Sequence, residues 1–117
     1  MEIDFSSSLV IISSSVGAIF IAAGLLLKYF PPEEINSMYG YRTKSSKKDL
    51  AHWQFSQGYS GKIMIILGFL YSLSGAAIAM FHITKTLGIY IGLGLMLVVA
   101  FLIFHLTEKA ITTKFGE

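Results

Sequence analysis

Three long stretches of this chain contain no aspartate, glutamate, lysine or arginine. They cover residues 9–27, 63–81 and 87–106. At about 1.5 Å per residue, a helix over any of them is long enough to cross a hydrocarbon layer roughly 30 Å thick. Since 54% of the 117 residues are hydrophobic and only 14% are charged, the chain lacks the polar cover of a soluble domain. The sequence therefore predicts an all-α fold, an integral membrane three-helix bundle in which residues 1–117 form a single membrane domain.

Composition also narrows the chemistry that the chain can perform. It has no cysteine, which excludes disulfides, thiolate metal sites and lipid attachment through a cysteine. A formal net charge of +2 is too small to indicate binding to nucleic acid. The three histidines fall in separate parts of the predicted topology, and no motif of zinc proteases, serine hydrolases or phosphate-binding loops occurs. We therefore predict no metal, no cofactor, no nucleic-acid partner and no enzymatic activity.

The first apolar stretch has a second interpretation, as a cleavable signal peptide. Such a peptide begins with a basic segment, whereas residues 1–8 contain Glu2 and Asp4 and neither lysine nor arginine. We therefore predict that residues 9–27 form a permanent membrane helix.

Basic residues are distributed unevenly between the two sides of the predicted membrane protein. One side holds Lys28, Arg42, Lys44, Lys47, Lys48, Lys62, Lys109 and Lys114, and the other holds Lys85. Short loops rich in lysine and arginine remain on the cytoplasmic side of a membrane. The sequence therefore predicts a multi-pass membrane protein, with the N-terminus outside and the first connection and the C-terminus in the cytoplasm.

Small residues recur at helical spacing inside the spans, where they let helix backbones approach closely. The predicted packing positions are Gly68, Ser72 and Ala76 in the second span, and Gly88 and Gly92, a GxxxG pair, in the third. In the first span Gly17 and Gly24 lie seven positions apart. We interpret these positions as contacts within one chain, with a homo-oligomer as the alternative.

The connection between the first two spans, residues 28–62, is much longer than a simple link needs to be. Ser46 followed three positions later by Asp49 resembles a helix N-terminal capping box, so a helix is expected to begin there. At about 100° per residue, one face of this helix is polar and the opposite face is apolar. The polar face comprises Asp49, His52, Ser56 and Ser60, and the apolar side comprises Leu50, Ala51 and Trp53. We therefore predict an interfacial loop and amphipathic helix over residues 33–61, lying on the cytoplasmic membrane surface.

Gln54 and Gln57 fall on the apolar side of that predicted helix. A buried amide is costly unless its hydrogen bonds are made. One interpretation is that both side chains hold the backbone of residues 36–43 in place, and we favour it. The other is that they recognise a ligand or partner at the headgroup level. Replacement of Gln57 by alanine is expected to leave accumulation of the protein largely unaffected.

Arg42 follows the sequence Tyr39-Gly40-Tyr41 and also has two interpretations. Its planar guanidinium can bind a lipid phosphate or a partner carboxylate. It can equally pair within the chain, with Glu33, Glu34 or Asp49 as candidates, and we favour this internal ion pair. Gly40 is expected to adopt a positive φ in a tight turn that Asn36 closes. The full set of candidate binding residues is Asn36, Tyr39, Gly40, Arg42, Thr43, Trp53, Gln54 and Gln57.

The pattern Asn36, Tyr39, Gly40, Tyr41, Arg42 and Thr43, followed by Ser46 and Trp53, resembles the SdpI family of small bacterial membrane proteins. Two positions depart from the family pattern, with Ser56 where alanine is usual and Gln57 where asparagine is usual. The resemblance implies a helical membrane fold and a location in the bacterial plasma membrane. It also implies a role like that of the members that confer immunity to a secreted, membrane-active peptide toxin.

Three hypotheses follow. The first is a non-catalytic membrane protein of the immunity type, whose partners are the lipid bilayer and either a peptide toxin or a cytoplasmic regulator. The second is a signalling or scaffold subunit that docks a soluble partner through Lys44, Lys47 and Lys48. The third, a small membrane enzyme or transporter, requires Arg42, Gln54 and Gln57 to converge on one polar cavity.

Overall fold

A computed structural model describes residues 7–116, and these form three α-helices. They are α1 (Ser8–Tyr29), α2 (Leu50–Ala79) and α3 (Lys85–Phe115), and no strand occurs within the described residues. Each helix is long and apolar enough to cross a membrane. The predicted all-helical fold with three spans is therefore confirmed, whereas Glu2 and Asp4 lie outside the described residues.

The ends of the helices follow from local sequence. α1 stops at Tyr29, just before Pro31 and Pro32, which cannot continue a helix. α2 begins after Asp49, whose side chain accepts a hydrogen bond from the backbone N–H of His52 at 2.8 Å. The N-cap of α2 is thus Asp49 rather than the predicted Ser46.

α2 runs without interruption for 30 residues, from Leu50 to Ala79. The predicted separate surface helix is therefore not observed, because its residues form the first part of the same helix that contains the second span. No proline occurs in this segment, and Gly58 and Gly61 are accommodated within the helix. At about 1.5 Å per residue, α2 is roughly 45 Å long, which exceeds the thickness of the hydrocarbon layer.

The polar face of the first part of α2 is buried, where exposure to water was predicted. His52, Ser56 and Ser60 are buried together with Trp53 from the predicted apolar side, whereas Leu50 is half exposed. The Ser56 hydroxyl donates to the carbonyl oxygen of Trp53 at 2.9 Å and the Ser60 hydroxyl to that of Gln57 at 3.3 Å, so both hydroxyls stay hydrogen-bonded when buried. The prediction assumed water on the polar side, and that assumption was wrong.

α1 and α2 pack antiparallel with their backbones in contact at paired glycines. A methyl group added at Gly17 would lie 2.9 Å from the carbonyl oxygen of Gly68, and one added at Gly24 would lie 2.5 Å from that of Gly61. The same interval of seven residues therefore occurs on both helices. Such small residues let the helices approach more closely than side chains would allow.

The predicted repeat of Gly68, Ser72 and Ala76 gives only part of this surface. The Ser72 hydroxyl donates to the carbonyl oxygen of Ser13 on α1 at 3.1 Å. Gly75 is buried and faces Ser13, whereas Ala76 is only half buried. The close contact on α2 thus follows a spacing of seven residues rather than four.

The GxxxG pair of α3 packs against the beginning of α1. A methyl group added at Gly88 would lie 3.3 Å from Cβ of Leu9, and one added at Gly92 would lie 2.9 Å from Ile12. The hydroxyl of Tyr71 on α2 donates to the carbonyl oxygen of Gly92 at 2.7 Å. The pair therefore joins all three helices of one chain.

Candidate functional site

Residues 30–49 fold against one end of the bundle. We call this end of the bundle the loop end, and it comprises the last turn of α1, the first turns of α2 and the last turns of α3. Gln57 lies at its centre and is fully buried. Its Oε1 accepts from the backbone N–H of Tyr41 at 2.7 Å, and its Nε2 donates to the carbonyl oxygen of Tyr41, also at 2.7 Å. Gln57 thus holds the loop backbone, as the first of the two interpretations proposed.

Gln54 does not take part in this arrangement. Its side chain is exposed, so the prediction that it is buried beside Gln57 was wrong. At about 100° per residue, Gln54 lies just outside the sector of α2 that faces the loop, whereas Trp53 and Gln57 lie inside it. The convergence of Arg42, Gln54 and Gln57 that an enzyme or transporter would require is not observed.

Two further side chains form hydrogen bonds with the residues that follow α1. The indole Nε1 of Trp53, which is fully buried, donates to the carbonyl oxygen of Pro32 at 2.7 Å. The hydroxyl of Tyr39 donates to the carbonyl oxygen of Phe30 at 2.8 Å. The residues after α1 are therefore held from both sides, by α2 and by the loop itself.

The turn at Asn36 and Gly40 forms as the sequence predicts. Oδ1 of Asn36 accepts from the backbone N–H groups of Met38 at 2.8 Å and Tyr39 at 3.0 Å. Gly40 has a φ of 106°, and a methyl group there would lie 2.6 Å from Oε1 of Gln57. Only glycine satisfies both the backbone conformation and the close approach to the amide.

Arg42 is not in the internal ion pair that the sequence favoured. Its Nη1 donates to the carbonyl oxygen of Ser37 at 2.7 Å, and its side chain is exposed. Within residues 7–116, no carboxylate pairs with it. Asp49, one expected partner, instead contacts Nδ1 of His52 at 2.7 Å, and the hydrogen bonds from the backbone and side chain of His52 lower the pKa of Asp49.

Sequence analysis missed Glu108 on α3. Its Oε2 accepts from the hydroxyls of Tyr41 at 2.6 Å and Thr43 at 2.9 Å, and its Oε1 accepts from the hydroxyl of Ser45 at 2.6 Å. Three loop hydroxyls therefore bind one carboxylate, which ties the loop to α3. The available signal was that Glu108 is the only carboxylate between Asp49 and Glu117.

The hydroxyl of Tyr41 stays neutral in this network. Burial raises the pKa of Tyr41 far above its ordinary value. The hydrogen bond to Glu108 and the negative charge of Glu108 raise this pKa further. Tyr41 therefore acts as a permanent hydrogen-bond donor to the carboxylate.

Thr43 and Ser46 close the turn before α2. The backbone N–H of Thr43 donates to the Ser46 hydroxyl at 2.7 Å, and the backbone N–H of Ser46 donates to the Thr43 hydroxyl at 3.2 Å. Ser46 is fully buried. It therefore stabilises the loop turn instead of capping the helix.

Several hollows open at the loop end, among them the following two. The first, of about 640 Å³, lies beside the end of α1 and is lined by Tyr29, Phe30, Pro31, Pro32, Glu33, Glu34, Asn36 and Tyr39. The second, of about 560 Å³, is lined by Lys44, Ser45, Lys48 and Glu108. Across residues 7–116, no group of three histidine, aspartate or glutamate side chains is arranged to hold a metal ion.

Fold and site together define a class, the small helical membrane protein whose first connection folds into a hydrogen-bonded loop against the ends of its helices. The model of the SdpI/YfhL protein family matches residues 33–105. The Bacillus subtilis (strain 168) protein named "Uncharacterized protein YfhL" is 40% identical over 94 residues, which are 80% of this chain and 79% of that protein. No solved structure matches the chain significantly. The chain belongs to the SdpI/YfhL protein family, as its loop motif indicates.

Proposed function

We propose that the chain is a non-catalytic membrane protein of the SdpI-like immunity type, which protects a bacterium by binding a membrane-active peptide toxin. The chain belongs to the SdpI/YfhL family, and the loop motif resembles that of members that confer immunity to a peptide toxin. The distribution of basic residues supports an orientation in which the loop end and the C-terminus face the cytoplasm and the N-terminus faces outward.

The observation that carries the proposal is the exposed guanidinium of Arg42 on a loop that is otherwise held rigidly. Gln57 binds both the N–H and the carbonyl oxygen of Tyr41, the residue before Arg42. Nη1 of Arg42 donates to the carbonyl oxygen of Ser37. A binding group that is held in place before the partner arrives loses less conformational entropy on binding. Such an arrangement suits recognition of a carboxylate or another acceptor on a peptide.

The first hollow supplies apolar surface close to this loop. Phe30 is 71% exposed, Tyr29 is 64% exposed, and both line the hollow together with Tyr39. Exposed aromatic side chains of this kind are common in surfaces that bind peptides. Arg42 and these aromatic residues are therefore the proposed contacts for the peptide.

Survival of a toxin-sensitive bacterium that expresses the chain is the direct test. The unchanged protein is expected to increase survival against at least one of a panel of membrane-active peptides. Arg42→Ala is expected to abolish the increase while the protein accumulates normally in the membrane. Lys47→Ala removes another exposed charge of the same loop and is expected to retain protection.

Unchanged killing by the whole panel in cells that contain the protein would contradict the proposal. Equal loss of protection in Arg42→Ala and Lys47→Ala would remove the specific role of Arg42.

A second candidate function is a scaffold or signalling subunit that docks a cytoplasmic protein through Lys44, Lys47 and Lys48. The observation in its favour is that Lys44 and Lys48 line one hollow beside α3. Photocrosslinking from position 47 tests it. Recovery of a specific protein would favour docking, and recovery of lipid alone would contradict it.

A further inference from the structure

The second hollow lies where the loop meets α3. Lys44, Ser45 and Lys48 line it from the loop side and Glu108 from the helix side. Glu108 comes two residues after the apolar run of α3 ends at Leu106. The hollow is therefore at the depth where lipid headgroups contact a membrane protein.

Lys44 and Glu108 line this hollow without pairing with each other. Glu108 is bound by three loop hydroxyls, two at Oε2 and one at Oε1. A carboxylate offers about four lone-pair sites, so Oε1 retains one acceptor site. Within the described part of the chain, neither Lys44 nor Glu108 is in an ion pair. The hollow thus presents an acceptor for an ammonium group and a donor for a phosphate at separate points.

We infer that this hollow binds a phosphoethanolamine headgroup of the surrounding lipid. The ammonium group of the headgroup donates to Oε1 of Glu108, and the phosphate accepts from the ammonium group of Lys44. Lys48 also lines the hollow, and the inference does not depend on its charge. This lipid site goes beyond the proposed immunity role and does not depend on it.

The chemistry of the hollow discriminates between headgroups. A phosphatidylglycerol headgroup carries no cationic group, so it leaves the carboxylate of Glu108 without a charge partner. A choline headgroup has the same net charge as ethanolamine, but its quaternary nitrogen has no N–H to donate to Oε1. Phosphatidylethanolamine is therefore the headgroup whose charges and donors both match the hollow.

Lipid binding by the purified full chain tests the inference. The chain is titrated in detergent with phosphatidylethanolamine, phosphatidylcholine or phosphatidylglycerol, and bound lipid is measured by native mass spectrometry. Phosphatidylethanolamine is expected to bind most tightly. Lys44→Ala is expected to weaken its binding about tenfold, because one charge-assisted hydrogen bond is lost. Lys47→Ala, an exposed lysine outside the hollow, is expected to leave the binding unchanged.

Glu108→Gln tests the other half of the site. It is expected to remove the preference for ethanolamine over choline, and circular dichroism reports whether the helices remain folded. If this variant fails to fold, the comparison between Lys44→Ala and Lys47→Ala decides the question alone.

Soluble competitors distinguish a headgroup site from a simple phosphate site. Free phosphoethanolamine is expected to displace the bound lipid at concentrations where inorganic phosphate does not. Equal displacement by both would overturn the inference. So would equal binding of the ethanolamine and choline lipids, or equal weakening by Lys44→Ala and Lys47→Ala.

Discussion

At the scale of single residues, the loop depends on one amide. Gln57 accepts from the N–H of Tyr41 and donates to its carbonyl oxygen, which also accepts from the Ser46 hydroxyl at 3.2 Å, and all these groups are buried. An N–H and a carbonyl that are buried without partners each destabilise a protein by about 1–3 kcal/mol. From this geometry we therefore expect Gln57→Ala to destabilise the protein, contrary to the expectation from sequence that it is tolerated.

Gln57→Ala is expected to lower the free energy of unfolding by about 2 kcal/mol, because the N–H of Tyr41 loses its partner and its carbonyl oxygen keeps only the Ser46 hydroxyl. Thermal unfolding of the purified protein in detergent measures this change. Gln54→Ala is the matched control, since the Gln54 side chain is exposed, and its effect is expected to stay within about 0.5 kcal/mol. Equal effects of the two variants would contradict the role assigned to Gln57.

Whether the role of a residue could be predicted from sequence depends on how far along the chain its contacts lie. Asn36 and Gly40 form a turn with neighbours a few positions away, so residue type alone indicated their roles. Glu108 binds hydroxyls 63 to 67 positions away. Nothing in the local pattern indicates a contact at that distance along the chain, and the fold is needed to find it.

At the scale of the helices, apolar runs located the spans but not the direction of their faces. The polar stripe His52, Ser56 and Ser60 looked like a water-facing surface, and it is buried. Periodicity shows that one face of a helix differs from the other, and tertiary contacts decide which face is buried. In the first part of α2 the loop and the end of α3 cover the polar face, where the ring of His52 stacks on that of Phe115 with 3.8 Å between the centroids.

The glycine contacts between α1 and α2 predict a strong effect of very small changes. Gly24→Ala would place a methyl group 2.5 Å from the carbonyl oxygen of Gly61, which forces the two helices apart. We expect destabilisation of about 1–3 kcal/mol, measured by unfolding in detergent. The control is Gly94→Ala on α3, where the added methyl group would meet no atom within 4 Å.

Gly94→Ala is expected to be neutral or slightly stabilising, since alanine favours a helix more than glycine does. A Gly24→Ala protein as stable as the Gly94→Ala protein would show that the backbones are not in contact.

At the scale of the whole molecule, the proposed orientation can be tested with introduced cysteines, because the native chain has none. Met38, in the loop, is 85% exposed, and Thr86, at the opposite end of the bundle, is also exposed. In intact cells, a membrane-impermeant maleimide is expected to label Met38→Cys only after the cells are opened. It is expected to label Thr86→Cys from outside. The reverse pattern would invert the orientation.

α2 is one continuous helix that runs from the loop end of the bundle to the opposite end. Gln57, at the loop end, and Gly75, opposite Ser13, are 18 residues apart on one helix. At 1.5 Å per residue, this is about 27 Å of continuous backbone hydrogen bonding. A tilt of α2 produced at the loop would therefore also alter the spacing of helices near the other membrane face, because the helical hydrogen bonding is continuous between these two points.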